Sequence, residues 1–565
     1  MSRQNIFSPF FGTSSHVKST SDKVDTMPYP AVSSTEDDQR KLPIPSFWHD
    51  RFVEAGMILS MGLYYIVGNP NINIHLGTIS GIISHLNPLF SLPFLFIFAL
   101  LCWYRLPFAI ALMPLTLPYY LLQKVVVNNY RFSLVEITLA VCVTVALGQL
   151  LLGRRRWRYW LSWAQLRDRL GPFALPILVF FVFAAISIGI AYSRTLAVRA
   201  FREEVFDPLL YLLLALACLR SRQDVTRLLV SLLGTALIIA MLGMAQYFLF
   251  KNTLVLESDG IRRVHTVYGS ANNVGLLFDY TLPFGIALLL GRVSWTRRLL
   301  ALVICLPIFF VLYLTQSIGA WIAIPLSVLF VLALSIRNTK LLLIAGLALV
   351  IIGAGMVAIF QKQLDTIVLG HTNQQGYNTV TKRLYLWQSA LAMINDSPWL
   401  GYGMDNWLCH YSYSKWAHDH HPCNNNLHHY WILTDPVTGK PTGMSDEPTL
   451  SHPHNIFLHV WVSMGVFGLL AFVAVLILFY WLFARILAHL RRHAKKIVGN
   501  EHLRWMVVGV GAAMLAALLQ GQGDSSFLEQ DLAFCFWMLV SALLLLRVLS
   551  ATPWREKPLS LQETS

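Results

Sequence analysis

His454 stands at the end of a polar stretch, in Ser451-His452-Pro453-His454-Asn455-Ile456-Phe457-Leu458-His459, where the chain runs straight into an apolar segment. An imidazole titrates near neutrality, so His454 can take a proton from a hydroxyl nucleophile, or it can do no more than cap the next helix. A second segment, Arg262-Arg263-Val264-His265-Thr266-Val267-Tyr268-Gly269-Ser270-Ala271-Asn272-Asn273-Val274-Gly275, puts two arginines before small residues and asparagines that read as a helix start. Such an end offers free N–H groups and a positive dipole to an anion, and a guanidinium fork grips phosphate oxygens in pairs. A third segment, Arg383-Leu384-Tyr385-Leu386-Trp387-Gln388-Ser389-Ala390-Leu391-Ala392-Met393-Ile394, carries apolar residues at helical spacing and predicts an amphipathic surface helix. It stops at the breaker cluster Asn395-Asp396-Ser397-Pro398-Trp399-Leu400-Gly401-Tyr402-Gly403. In a fourth, Gly521-Gln522-Gly523-Asp524-Ser525-Ser526-Phe527-Leu528-Glu529, either Asp524 or Glu529 can orient a base or counter an arginine, or simply solvate the loop. Together these types describe proton removal from a hydroxyl beside a bound phosphate group.

The elements that must position them lie in a membrane. Of 565 residues, 56% are hydrophobic and 13% charged, where a soluble domain has about 25% charged. Apolar runs recur at the length that crosses about 30 Å of hydrocarbon as a helix. No short alternating pattern suggests a β-barrel. The expected fold is an all-α polytopic membrane protein of about 12–14 transmembrane helices. Runs fall near 52–67, 87–103, 106–123, 132–152, 172–192, 205–219, 227–249, 273–291, 296–314, 318–335, 340–360, 456–485, 503–521 and 530–550. The first and sixth are short enough to be re-entrant or interfacial.

Charge sets the expected orientation. Arg154-Arg155-Arg156-Trp157-Arg158, Arg220 with Arg222, Arg292 with Arg297-Arg298, Arg337 with Lys340, and Arg491-Arg492-His493-Ala494-Lys495-Lys496 all follow even-numbered runs. Lys and Arg collect on the cytoplasmic side of short loops, so both termini are expected inside and the long loop outside. The expected organisation is a disordered cytoplasmic tail at 1–50, helices at 51–360, a large extracytoplasmic loop at 361–455, helices at 456–550 and a second tail at 551–565. Arg194, Arg199, Arg202, Arg262, Arg263 and Lys382-Arg383 then lie on the outer side, against the charge rule. They suit an anionic ligand, or they snorkel to lipid headgroups.

The net charge of +14 sits in loops between apolar runs rather than on a nucleic-acid-binding face, so no nucleic-acid partner is expected. Of seven cysteines, only Cys409 and Cys423 share the polar loop, where an oxidising compartment would let them form a disulfide. His418, His420, His421, His428 and His429 invite a metal, but no HExxH or CxxC motif accompanies them, and no metal or other cofactor is expected.

These segments resemble, over about residues 170–550, the O-antigen ligase and polymerase superfamily. The resemblance is carried by Arg263 with Asn272 and Gly275, by Thr315-Gln316-Ser317-Ile318-Gly319-Ala320 and by Arg383 and Trp387 before Asp396-Ser397-Pro398-Trp399-Leu400-Gly401-Tyr402-Gly403. His454-Asn455 with Leu458 and Gly465-Val466-Phe467-Gly468 complete it. It implies a GT-C-like, metal-independent glycosyltransferase of the bacterial inner (cytoplasmic) membrane with its active site on the periplasmic side. The donor would be an undecaprenyl-diphosphate-linked glycan, the acceptor lipid A-core or a growing glycan, and membrane lipids would surround the chain. Catalytic roles would fall to His454, Arg383 and Arg263, and substrate binding to Arg262, Arg194, Asn272, Asn455, Trp387 and Asp524. Family members often carry an arginine where this chain has Ile318; that outer-face cation is therefore missing here, or replaced by Arg194 or Arg262. Ligase is the first expectation and polymerase the alternative. A lipid-linked oligosaccharide flippase is disfavoured because no internal repeat is visible and the polar residues gather at one face.

Overall fold

The computed structural model describes residues 47–72, 84–127, 130–152, 163–250, 253–256, 262–336, 340–341, 343–344, 346–348, 351, 379–412, 423, 430, 450–492 and 500–551. It divides into a unit ending at Arg51 and a second unit, Phe52–Ser565, which holds everything below except the first residues of α1.

The described elements are helices with two small hairpins. In order they are α1 (Phe47–Ile66), α2 (Leu92–Leu112), β1 (Lys124–Val127), β2 (Tyr130–Phe132), α3 (Leu134–Leu151), α4 (Trp163–Leu170), α5 (Ala174–Ile190), α6 (Arg194–Ala200), α7 (Asp207–Cys218) and α8 (Arg222–Phe248). There follow β3 (Val255–Leu256), β4 (Arg262–Arg263), α9 (Ala271–Leu290), α10 (Trp295–Thr315), α11 (Ile318–Ser335), α12 (Thr379–Asp396), α13 (Trp407–Tyr411), α14 (Ile456–Arg492), α15 (Asn500–Gln520) and α16 (Gln530–Ala551). Among the described residues, ten helical segments are long and apolar enough to cross a membrane. The all-α membrane architecture therefore stands.

The differences from the fourteen expected runs have physical causes. The runs at 87–103 and 106–123 form one helical segment, Pro88–Tyr119, that turns back at Arg105 (φ −139°, ψ 61°), two residues before Pro107. Pro88 packs against Gly68, and the Leu122 carbonyl accepts from the Tyr65 hydroxyl, so both arms end beside the C-terminus of α1. The turn itself lies at the far end, where Gln149 donates to the Trp103 carbonyl. The run at 205–219 is α7, which a π-helical segment, Phe201–Phe206, joins to α6. Charged residues keep this stretch, like α1, out of the ten. Arg202 pairs with Glu136 and Glu203, and Arg199 with Glu203. These two arginines are engaged by carboxylates. The run at 340–360 lies mostly outside the described residues, as do Arg154–Arg158, Arg337 and the His418–His429 cluster.

One end of the bundle carries Arg220, Arg222, Arg292, Arg297, Arg298, Arg491 and Arg492; the other, the loop end, carries β4, α12, α13 and the start of α14. The core is built on α9, which packs against α15, α10 and α11, while α14 packs against α5 and α16 against α7.

The breaker after α12 has a structural task. α14 breaks at Gly465, whose φ of +71° suits glycine and where any Cβ would sit 2.0 Å from the Trp399 carbonyl oxygen. Gly401, at φ +73°, would place a Cβ 2.4 Å from the Val462 carbonyl oxygen. Tyr402 N–H donates to Val462 O (2.7 Å), Gly403 N–H to Ser463 O (3.1 Å) and Val466 N–H to Pro398 O (2.9 Å). The exposed α14 backbone at the break is thus satisfied by the turn, and the turn fixes α12 to α14.

Candidate active site

His454 sits just before α14 at φ +50°, the left-handed region that costs a non-glycine residue about 1–3 kcal/mol. Its imidazole Nδ1 lies 2.7 Å from Asp524 Oδ1, and the two side chains are 12% and 7% exposed. Ser525 N–H donates to the same carboxylate oxygen at 2.9 Å. Burial pushes the Asp524 carboxyl up, but His454, Arg383 and His452 outweigh it and hold the group below the ordinary carboxylate range. An ionised Asp524 accepts the Nδ1 proton, which leaves Nε2 as the imidazole's acceptor. That is the arrangement of an oriented base.

Three segments hold this pair. Asn455 Oδ1 accepts from the N–H groups of Phe457 (3.0 Å) and Leu458 (3.1 Å), capping α14, and its Nδ2 donates to the Gln522 carbonyl (3.1 Å). Ile456 N–H donates to Gly521 O at 2.8 Å, so the start of α14 is laced to the loop that bears Asp524. Trp387 of α12 donates its indole N–H to the His454 carbonyl at 3.4 Å. Arg383 is one turn earlier on α12, and its charge acts on both Asp524 and His452. Among the described residues its guanidinium makes no hydrogen bond or ion pair.

Arg263 is held between the end of α10 and the start of α9. Its Nε donates to Thr315 O (2.7 Å) and its Nη2 to Asn272 Oδ1 (2.8 Å) and Gln316 O (3.4 Å). Thr315 and Gln316 end α10, with Gln316 in the left-handed region at φ +50°. Ser270 caps α9 by accepting from Asn272 N–H (3.2 Å), as the small-residue pattern predicts. Arg262 is exposed on β4, and Arg194 is exposed at the start of α6.

The sequence pattern assigns no role to His452 and offers Glu529 only as the alternative to Asp524. His452 is 8% exposed, its ring centroid 4.3 Å from that of His454 and its Nε2 3.7 Å from Glu529 Oε1. Burial, then the neighbouring His454 and His459, holds its pKa well below that of a free imidazole. Glu529 Oε2 accepts from Asn273 Nδ2 (2.7 Å) and Tyr120 Oη (3.3 Å). Burial, then the charges of Asp531 and Asp524, pushes its carboxyl well up. Asn273 adjoins Asn272, so Glu529 links the Arg263 wall to the histidines. Both residues were visible in the quoted motifs; only their meeting in space was not.

The donor atoms of His452, His454 and Asp524 lie within 4.8 Å of one another, a grouping that could hold a metal ion such as zinc. The expected histidine cluster of the loop is a different set. Cys409 and Cys423 form a disulfide, and the other five cysteines are buried and free.

Residues 300–473 match a family model described as O-Antigen ligase. The matched stretch includes Arg383, the Gly401–Gly465 contact and His454, and excludes Arg263, Asn272 and Asp524. No curated protein matches the chain.

Proposed function

We propose that this chain, whose residues 300–473 match a family model described as O-Antigen ligase, is a glycosyltransferase of that superfamily that moves a finished glycan from undecaprenyl diphosphate to a hydroxyl of lipid A-core. The observation that carries the reading is the His454–Asp524 pair at 2.7 Å with Arg383 acting on it from α12. Nε2 of His454 takes the proton of the acceptor hydroxyl as that oxygen attacks the anomeric carbon. The bond from that carbon to the diphosphate oxygen breaks, and polyprenyl diphosphate leaves with the electron pair. Asp524 keeps the proton on Nδ1 and stabilises the imidazolium that forms. Arg383 and Arg263, with the N-terminus of α9, meet the charge gathering on the diphosphate. Arg262 and Arg194 extend that positive wall. Asn272 presents Arg263, while Trp387 and Asn455 hold the base in place.

Two observations support an extracytoplasmic, periplasmic site. The loop end carries the Cys409–Cys423 disulfide, a bond kept in oxidising compartments. The opposite end carries the basic loops.

Deletion of the gene tests the acceptor. The expected result is lipopolysaccharide without long chains and full-length glycan retained on the lipid carrier. Lipopolysaccharide capped with single repeat units would instead identify a polymerase.

The His452, His454 and Asp524 grouping favours a second reading, a metal-bound base. Against it, Nδ1 of His454 is already engaged by Asp524, and Arg383 and Arg263 can meet the charge of the leaving diphosphate. Dialysis of the purified protein against a chelator is expected to leave transfer unchanged, with metal well below one ion per chain by elemental analysis. Loss of activity restored by zinc would establish the metal reading.

A further inference from the structure

Where α5 ends, the turn after α12 and the helix α13 border an open cleft of about 380 Å³, lined by Tyr192, Ser397, Leu400, Gly401, Tyr402 and His410 among others. Its size falls within the range of ligand pockets, about 300–1,000 Å³. The walls are aromatic: Tyr402 and His410 have ring centroids 4.5 Å apart at 56°, and Tyr192 meets His410 edge-on at 6.4 Å. Tyr402 packs partly against the small core between α12 and α13, but none of the three rings is fully buried. Tyr192 is 41% exposed, and Tyr402 and His410 are half-buried.

The polar groups are arranged with equal economy. Tyr430 Oη donates to Asp396 Oδ2 at 2.6 Å, so the 2.7 Å contact between the two tyrosine hydroxyls uses the proton of Tyr402. A phenol has one donor and two acceptor positions, which leaves the Tyr402 oxygen able to accept. Ser397 Oγ has likewise given its proton, to Gly401 O at 2.9 Å. The cavity therefore pairs ring faces with hydroxyl oxygens that accept.

The frame is rigid. The turn is bonded to α14 through Tyr402 and Gly403, Tyr430 N–H donates to His410 O at 2.9 Å, and the disulfide begins at Cys409 beside His410. A binding surface already ordered loses less entropy when it is filled.

We propose that this cavity is a carbohydrate subsite, in which a pyranose of the glycan rests its C–H face on the rings of Tyr192, Tyr402 and His410 and donates hydroxyls to Tyr402 and Ser397. Aromatic rings carry negative charge on their faces, which suits polarised C–H groups, and a sugar's hydroxyl rim supplies the donors these oxygens need. The subsite belongs to the same machinery as His454. α12 carries Arg383 near one end and Asp396 at the other, and thirteen residues of helix span about 20 Å. A chain of several sugars covers that distance. The assignment rests on the transferase reading for the origin of the glycan.

The test uses full-length protein carrying His454→Gln, so that binding is read without turnover. The probe is the polysaccharide released by mild acid from the envelope of the source cell, followed by calorimetry and saturation-transfer NMR. Binding is expected, with contacts to sugar C–H protons, and Tyr192→Ala with His410→Ala should weaken it by about tenfold or more. Tyr402→Phe keeps the ring and removes the hydroxyl, and should weaken binding severalfold while leaving thermal unfolding near that of the parent. Equal affinity in all these proteins would overturn the subsite. So would co-purifying phospholipid that is lost from the same variants while glycan binding is kept, which would make the cavity a lipid seat. Binding that persists in a protein whose unmutated form transfers nothing would leave the subsite standing and remove the transferase reading.

Discussion

Replacing His454 with Ala is expected to lower glycan transfer by on the order of 10³-fold, the scale on which a positioned general base acts. The substitution also leaves Asp524 buried without its partner, so a loss of stability will accompany the loss of activity. His454→Gln separates the two, because its amide can still donate to Asp524 while offering no titrating nitrogen. It should recover thermal stability and not transfer. Asp524→Asn is expected to cost on the order of 10²-fold, through a base whose tautomer is no longer fixed. The pair acts as a unit, so the double variant should be no slower than His454→Ala alone. Initial rates in membranes with matched protein levels provide the check.

The second large effect is at the arginines. Arg383 makes no hydrogen bond or ion pair among the described residues, although its charge reaches Asp524 and His452. Arg383→Ala should therefore lower transfer by on the order of 10²–10³-fold at little cost in folding, through loss of charge stabilisation on the leaving diphosphate. Arg383→Lys restores the charge without the fork and should recover only part of the rate. Arg263 differs because it also ties β4 to the end of α10 and to Asn272. Arg263→Ala should lose both transfer and thermal stability. Comparing kcat and thermal unfolding across the three variants distinguishes an arginine kept for the ligand from one shared with the fold.

Among the residues singled out in the sequence, His454 meets Asp524 and Trp387, and Arg263 meets Asn272, while no contact among the described residues joins Arg262 or Arg194 to them. His454, Asn455 and Ile456 read as a helix start and are one. Arg263 and Asn272 read as an anion-ready helix end, and the arginine is bonded to that asparagine. Other features depend on distant chain segments. Nothing local to Asp524 distinguishes it from Glu529; the difference arises because the 521–529 loop closes against the start of α14 and presents Asp524 to His454. His452 is two residues from His454, yet its packing against Glu529 requires α9, the Tyr120 segment and α16 to converge. Arg199 and Arg202 read as ligand or headgroup contacts, and are instead consumed by Glu203 and by Glu136 some seventy residues earlier in the chain. The fold-back at Arg105 falls between the runs read at 87–103 and 106–123, although the second arm is helical only as far as Tyr119 and is the shorter of the two.

The most direct measurement of the central claim is the stoichiometry of transfer by the purified protein in vesicles, with polyprenyl-diphosphate-linked glycan and a lipid A-core acceptor. The account predicts one polyprenyl diphosphate released for each glycan joined to the acceptor, with both products absent in His454→Gln. Movement of intact lipid-linked glycan across the bilayer, with no bond formed and no polyprenyl diphosphate released, would contradict it.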